Sequence, residues 1–385
     1  MAYLVRSFRD TFDRRTTVAV ASAFALGLVV RGFLQSSKHA VIVPSPRTTL
    51  LPNLPNHEHG KLPYPPDSLP GARDVNTPYG FIRVYEFGPE DGPQVLLVHG
   101  ISTPCLALGG VAHQLADKGC RVMLFDLFGR GYSDNPGDLP HDLRLFSTQI
   151  LIALASSPIA WRSFSIAGYS LGGGISAGFT SYFADMVDNL ILICPSGLIR
   201  PRHFSKTNRV IYSEGVIPEP LLLRLVKRRL KTPLYPAKAP KNDAKIGTAQ
   251  AVKAEVPIES NSTAILSKKH PDVTIDKAVV HQVDNHDGFV SAFMSSIRYG
   301  PIQHQHPLWE RVNENWRSRS TDSGKTHKVL VIAGDRDSII DAKELREDAS
   351  QIFGAHLDYH IIEAGHDVPI IKPDQVADLI WQSLQ

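Results

Sequence analysis

From Phe81 onward the chain alternates short apolar runs with helix-like stretches, and this rhythm restricts its folding options more than any other feature. Phe81–Phe87 and Gln94–Val98 read as strands, 105–118 as a helix and Arg121–Phe125 as a strand. Residues 141–155 read as a helix, Ser163–Ala167 as a strand, 171–184 as a helix and Leu190–Cys194 as a strand. Several of these strands are almost wholly apolar, as parallel strands covered by helices on both faces must be. Such alternation builds an α/β fold with a doubly wound, mostly parallel sheet. The rhythm breaks between about Ser196 and Gln303, where basic, proline-containing and helix-like segments replace it. It resumes with Lys328–Ala333, 341–353, Leu357–Ile362 and 373–384. The expected organisation is a core of residues 79–195 and 304–385, with residues 196–303 inserted as a mainly helical cap.

Two segments precede the core. Residues 1–40 contain an uncharged run, Thr16–Val30, with Arg14 and Arg15 before it and Arg31 after it. As a helix that run rises about 22 Å, short of the roughly 30 Å hydrocarbon core of a bilayer. It becomes long enough if it continues through Leu34 and Arg31 snorkels. A signal anchor, a cleaved signal peptide, an organelle presequence and a packed N-terminal helix all compete for it. The anchor is favoured, giving membrane association through the N-terminus and, from the excess of arginines before the run, a luminal catalytic domain. Residues 41–78 carry Pro44, Pro46, Pro52, Pro55, Pro63, Pro65, Pro66, Pro70 and Pro78, and read as an extended tether.

Composition adds exclusions. A net charge of +3 implies no broad basic surface for nucleic acid. Cys105, Cys120 and Cys194 lie far apart with no zinc-like spacing, and the last two sit in or beside apolar runs as buried thiols would. His281, His286, His304 and His306 lack a compact ligand spacing, so surface or cap roles are expected rather than a metal site. The basic, leucine-rich stretch 221–233 reads as a solvated cap helix with one apolar face, or as a helix able to dock on anionic lipid. Asn261-Ser262-Thr263 fits a glycosylation acceptor.

The chemistry centres on Ser170, within Gly168-Tyr169-Ser170-Leu171-Gly172, between the strand FSIA and a helix beginning LGGGISAG. A nucleophile on a sharp strand-to-helix turn needs small neighbours two residues away, and glycines supply them. The turn lifts the hydroxyl over a helix N-terminus, where free N–H groups favour an oxyanion.

With these residues the chain resembles the cap-bearing serine hydrolases of the α/β-hydrolase fold superfamily, over about residues 78–385. VLLVHGIS (95–102) is similar to the family's strand ending in His-Gly, whose following loop supplies one oxyanion-hole N–H. By that match Ile101 N–H is one donor, and Leu171 N–H, after the nucleophile, is the other. LFDLFGRGYSD (124–134) resembles the family's D-x-x-G-x-G-x-S turn, in which Asp126 is scaffold. Asp337, in VLVIAGDRDSII (329–340), matches the family's acid, with Asp335 as its rival. His366, in YHIIEAGHDVPI (359–370), matches the base, while His360 lies within that strand and reads as packing. Ser, Asp and His then follow in the expected order.

The resemblance implies an enzyme that cleaves a carboxylic ester or related acyl bond through a covalent acyl-enzyme, on a small-molecule or lipid-like acyl substrate. No metal or organic cofactor is called for. Acyltransferase, thioesterase and carbon–carbon bond hydrolase are alternatives on the same triad. A non-catalytic ligand-binding relative is the alternative from a different class.

Overall fold

The computed structural model describes residues 14–34, 41–203, 218–231, 264–323 and 327–385, so the Asn261 triplet falls outside the described residues. The chain divides into two compact units, Met1–Val41 and Ile42–Gln385. The first contains the helix α1 (Arg14–Leu34). Among the described residues no helix is long and apolar enough to cross a membrane. The spanning anchor expected for this segment therefore finds no support, the uncharged run being short and bounded by arginines on both sides.

The second unit is built on an eight-stranded sheet. In chain order its elements are β1 (Ala72–Thr77), β2 (Gly80–Phe87), β3 (Gln94–Val98), α2 (Gly109–Asp117), β4 (Arg121–Phe125), α3 (Leu143–Ala155), β5 (Phe164–Tyr169), α4 (Leu171–Tyr182) and β6 (Val187–Ile193). The helices α5 (Glu219–Lys231), α6 (Ile275–Asn285), α7 (Phe289–Tyr299) and α8 (His306–Ser323) follow. The chain ends with β7 (Val329–Gly334), α9 (Ala342–Phe353), β8 (Leu357–Ile362) and α10 (Pro373–Ser383).

The sheet order is β8-β7-β6-β5-β3-β4-β2-β1. The six strands from β8 to β4 are parallel, and β2 and β1 add antiparallel pairs at one edge. Residues Val95–Val98 and all of β5 and β7 are buried, which accounts for their continuous apolar sequence. Flanking helices cover them: α2 packs with α10, and α4 packs with α3 and α8. From β3 the chain first moves to β4 on one side, then crosses back to β5 on the other. Such a reversal opens a crevice at the carboxyl ends of the two strands, the usual ligand position in an open α/β sheet. The loop after β3 and the turn carrying Ser170 both emerge there.

The expectation of an extended tether over residues 41–78 is corrected by the structure. Ile42–Val43 pairs antiparallel with Asn135–Pro136, and the Ser45 N–H donates to Asp134 Oδ1 at 2.8 Å. Tyr64 and Leu69 are buried. β1 then pairs with β2 in register, placing Asp74 opposite Arg83 at 2.7 Å. The prolines do exclude a long helix, but they leave room for short helical turns at Pro46–Thr49 and Asn56–His59. The stretch is bound through polar groups and backbone pairing, and hydropathy cannot display either.

The insertion between β6 and β7 contributes α5, α6 and α7, with no strand among its described residues. In α5, Leu222, Val226 and Leu230 are buried while Arg224 and Arg228 are exposed. One apolar face therefore turns inward, as the solvated-helix reading expects.

Candidate active site

Ser170 stands where β5 ends and α4 begins, with φ 54° and ψ −118°. A side chain with positive φ is strained, and such strain persists only where surrounding contacts over-determine the backbone. Here the Ser170 N–H donates to the Ile193 carbonyl at 3.0 Å, and the Ser170 carbonyl accepts from Gly173 and Ser196 N–H groups. The flanking glycines are required by close approach. A Cβ at Gly168 would lie 2.2 Å from the Gly172 carbonyl oxygen, and one at Gly172 would lie 2.1 Å from that of Val98. The second contact also shows that the end of β3 abuts the serine turn.

The structure brings the three sequence-predicted side chains together. His366 Nε2 lies 2.9 Å from Ser170 Oγ, and His366 Nδ1 lies 2.7 Å from Asp337 Oδ2. The other oxygen of Asp337 accepts the N–H groups of Ile339 and Ile340, at 2.8 and 2.9 Å. Both carboxylate oxygens are thus engaged, and the one facing His366 is fixed in direction. Asp335, the rival acid, instead accepts the Ala364 N–H at 2.9 Å. It holds the loop that carries Gly365 and His366 and does not itself reach the imidazole. The Tyr169 ring lies 5.5 Å from that of His366.

Of the two expected backbone donors, Leu171 is the first residue of α4, where an N–H has no intrahelical carbonyl to meet. Ile101 lies in the loop after β3, and its carbonyl accepts from Arg130 Nε at 3.2 Å. Asp126 is fully buried beneath this region and takes the Cys105 and Tyr132 N–H groups, each at 2.9 Å, with the Tyr64 hydroxyl at 3.1 Å. Burial raises its carboxyl above the ordinary range, offset in part by those N–H bonds. Its place is structural, tying the loop after β3 to the D-x-x-G-x-G-x-S turn.

Sequence reasoning missed several neighbours of the site. His99 donates from Nδ1 to the Gly100 carbonyl at 2.9 Å and accepts the Leu127 N–H at Nε2, at 2.8 Å. Burial, then the charge of Arg130, lowers it to about 3, so the neutral ring is a fixed strut. Cys194, buried as expected, lies beside the acid. The donor atoms of Cys194, Asp337 and His366 all fall within 4.8 Å of one another, and among the described residues this is the one such group. It coincides with the hydrogen-bonded acid–imidazole pair. Burial, followed by the Asp337 charge, pushes the Cys194 thiol well above its usual value. His281 and His286 are both buried within the insertion, and His286 contacts the Ser133 carbonyl at 2.8 Å.

The family model of the α/β hydrolase fold matches residues 93–373. The chain belongs to the α/β-hydrolase fold family. Among curated proteins, a serine hydrolase-like protein of Homo sapiens is 33% identical over 119 residues, covering 30% of this chain and 57% of that protein. An uncharacterised protein of Mycobacterium tuberculosis is 31% identical over 134 residues, 35% of this chain and 38% of its own length. The chain thus spans little more than a third of the first curated relatives it matches. Among α/β-hydrolase structures, a carboxylesterase of Bacillus subtilis superposes with a TM-score of 0.56 at 17% identity, over 81% of this chain and 90% of that one. A bacterial membrane phospholipase A superposes with a TM-score of 0.55 at 19% identity, over 96% and 98%. At such identities the likeness concerns the fold.

Proposed function

We propose that this α/β-hydrolase-fold protein cleaves a carboxylic ester or related acyl bond of a small or lipid-like substrate, through a covalent acyl-enzyme on Ser170. The observation that carries this reading is the continuous chain Ser170 Oγ–His366–Asp337, at 2.9 and 2.7 Å, with the serine held on a strained turn. In this reading His366 Nε2 takes the hydroxyl proton as Ser170 Oγ attacks the acyl carbonyl. Asp337 holds Nδ1–H and stabilises the imidazolium. The N–H groups of Leu171 and Ile101 receive the developing oxyanion. His366 then returns the proton to the leaving alcohol, and a water activated by the same imidazole releases the acid. The serine hydrolase-like relatives are in keeping with a serine nucleophile, and a carboxylesterase and a phospholipase A share the fold.

A panel of p-nitrophenyl acyl esters of increasing chain length, with and without a competing alcohol, tests this function. Ester turnover that is lost in Ser170→Ala is expected, with free acid as product. No turnover of any member, or transfer to the alcohol in preference to water, would contradict it.

A further inference from the structure

In the loop after β3, side chains hold three consecutive carbonyls, one from within the loop and two from outside it. The Gly100 carbonyl accepts from His99 Nδ1 at 2.9 Å. The Ile101 carbonyl accepts from Arg130 Nε at 3.2 Å. The Ser102 carbonyl accepts from Gln282 Nε2. Because a trans peptide is planar, with C=O and N–H opposed, holding a carbonyl also fixes the direction of the next residue's N–H. The three contacts therefore set the N–H directions of Ile101, Ser102 and Thr103, the first of which is the candidate oxyanion donor.

Two of these holds lead into the insertion. Gln282 is on α6, and its side chain bridges two core loops, donating to Ser102 and accepting the Gly131 N–H at Oε1, at 3.1 Å. It is 1% exposed. Arg130 is fully buried, with Nη1 on the Phe128 carbonyl at 3.0 Å and Nη2 on Ser296 Oγ of α7 at 2.8 Å. Ser296 is itself oriented by donating to the Ala292 carbonyl at 2.8 Å. Two independent hydrogen-bond paths thus run from the insertion to adjacent carbonyls of one loop, Gln282 to Ser102 and Ser296 through Arg130 to Ile101. Buried polar groups in such paths keep their geometry only while every partner is in place.

We propose that Gln282 and the Ser296–Arg130 pair are positioning residues that couple docking of the inserted helices to the alignment of the oxyanion loop. The insertion then does more than shape the substrate's surroundings. With α6 and α7 seated, the peptides that follow Ile101 and Ser102 are held, which braces the Ile101 N–H from its C-terminal side while His99 holds the Gly100 carbonyl before it; with them displaced, the bracing through Arg130 and Gln282 is lost. This inference rests on the proposed serine-hydrolase reading.

The test uses the full chain, with p-nitrophenyl butyrate as substrate, phenylboronic acid as a mimic of the tetrahedral intermediate, and a fluorophosphonate as a report of the serine. Gln282→Met keeps the side chain's length and removes both hydrogen bonds. Its kcat should fall about tenfold with KM within about twofold, and phenylboronic acid should bind about tenfold more weakly, since misaligned donors are felt in the transition state and not in the ground state. Gln282→Glu can donate to Ser102 only when protonated, so its kcat relative to the native chain should recover as pH falls. Ser296→Ala, a change a helix accommodates, tests the second path in the same way and serves if Gln282→Met does not fold. A native chain that neither turns over the ester nor takes the fluorophosphonate would refute the underlying reading. An active native chain, with kcat and boronate affinity unchanged in folded Gln282→Met or Ser296→Ala, would overturn the coupling alone.

Discussion

Asp337 Oδ2 lies 2.7 Å from His366 Nδ1, and each of the two side chains is 1% exposed. A carboxylate sealed against an imidazole in this way fixes which ring nitrogen carries the proton, leaving Nε2 free to accept from Ser170. Asp335, two residues earlier, spends its carboxylate on the Ala364 N–H. Asp337→Asn should therefore reduce kcat by on the order of 10⁴-fold, the scale expected when the imidazole is held in the wrong tautomer. Asp335→Asn should reduce it by less than about tenfold. Steady-state kinetics on the two variants decides the matter, and a larger loss in Asp335→Asn would reverse the assignment.

Strain at Ser170 gives a prediction about stability. Its φ of 54° is one that glycine adopts freely and serine does not. Ser170→Gly should relieve strain of about 1–3 kcal/mol against a glycine entropy penalty of about 0.5–1 kcal/mol. A net gain of about 1 kcal/mol is expected, visible as a rise in Tm relative to Ser170→Ala, while both variants lose turnover. Equal melting of Ser170→Gly and Ser170→Ala would show that the turn stores no strain.

Acid should destabilise the fold through its buried neutral histidines. In His286 one ring nitrogen contacts the Ser133 carbonyl and the other accepts the Gly288 N–H, at 2.8 and 3.1 Å. Burial is the main cause that lowers it from 6.5 to about 4, and His99 is lowered to about 3 in the same way. Unfolded, each would take up a proton near pH 6.5, whereas folded it stays neutral. Between those values the unfolded state binds more protons, so stability falls as pH falls. The loss for each ring approaches about 1.4 kcal/mol per pH unit within the window. A urea midpoint followed from pH 7 to pH 4.5 should drop steeply below about 6.5, and less so in His286→Gln. A flat profile would contradict this.

The segment ahead of the core makes a clear prediction about truncation. A chain beginning at Val41 keeps the Ile42–Val43 pairing, Tyr64 and β1, and should fold and turn over ester. A chain beginning at Tyr79 loses all three, exposing the edge of β2 and removing the Tyr64 hydroxyl from buried Asp126. Losing one hydrogen bond to a buried charged group alone costs about 1.5–3 kcal/mol. Soluble expression and melting of the two chains would test this, and an equally stable chain from Tyr79 would restore the tether reading.

That contrast shows where the sequence was legible. β3, β4, β5 and β7 are apolar runs, and these strands and β8 were readable within two residues of their bounds. Gly168 and Gly172 announced the serine turn, and Asp337 and His366 followed strands that were plain to see. β1 was not visible, because Ala72-Arg73-Asp74-Val75-Asn76-Thr77 has a single large apolar residue. It is held by backbone pairing and by Asp74 against Arg83 and Arg73 against Glu86, both at 2.7 Å. Gln282 was equally hidden, since it meets Ser102 across 180 positions of chain. A polar residue gives no periodic signal of the partner it will find.

Everything rests on whether Ser170 is an activated nucleophile. The most direct measurement is reaction of the full chain with a fluorophosphonate, followed by peptide mass spectrometry to locate the adduct. The account predicts a single adduct on Ser170, with its rate falling by orders of magnitude in His366→Ala and as the imidazole is protonated. No adduct on Ser170, or one formed equally fast without His366, would contradict it.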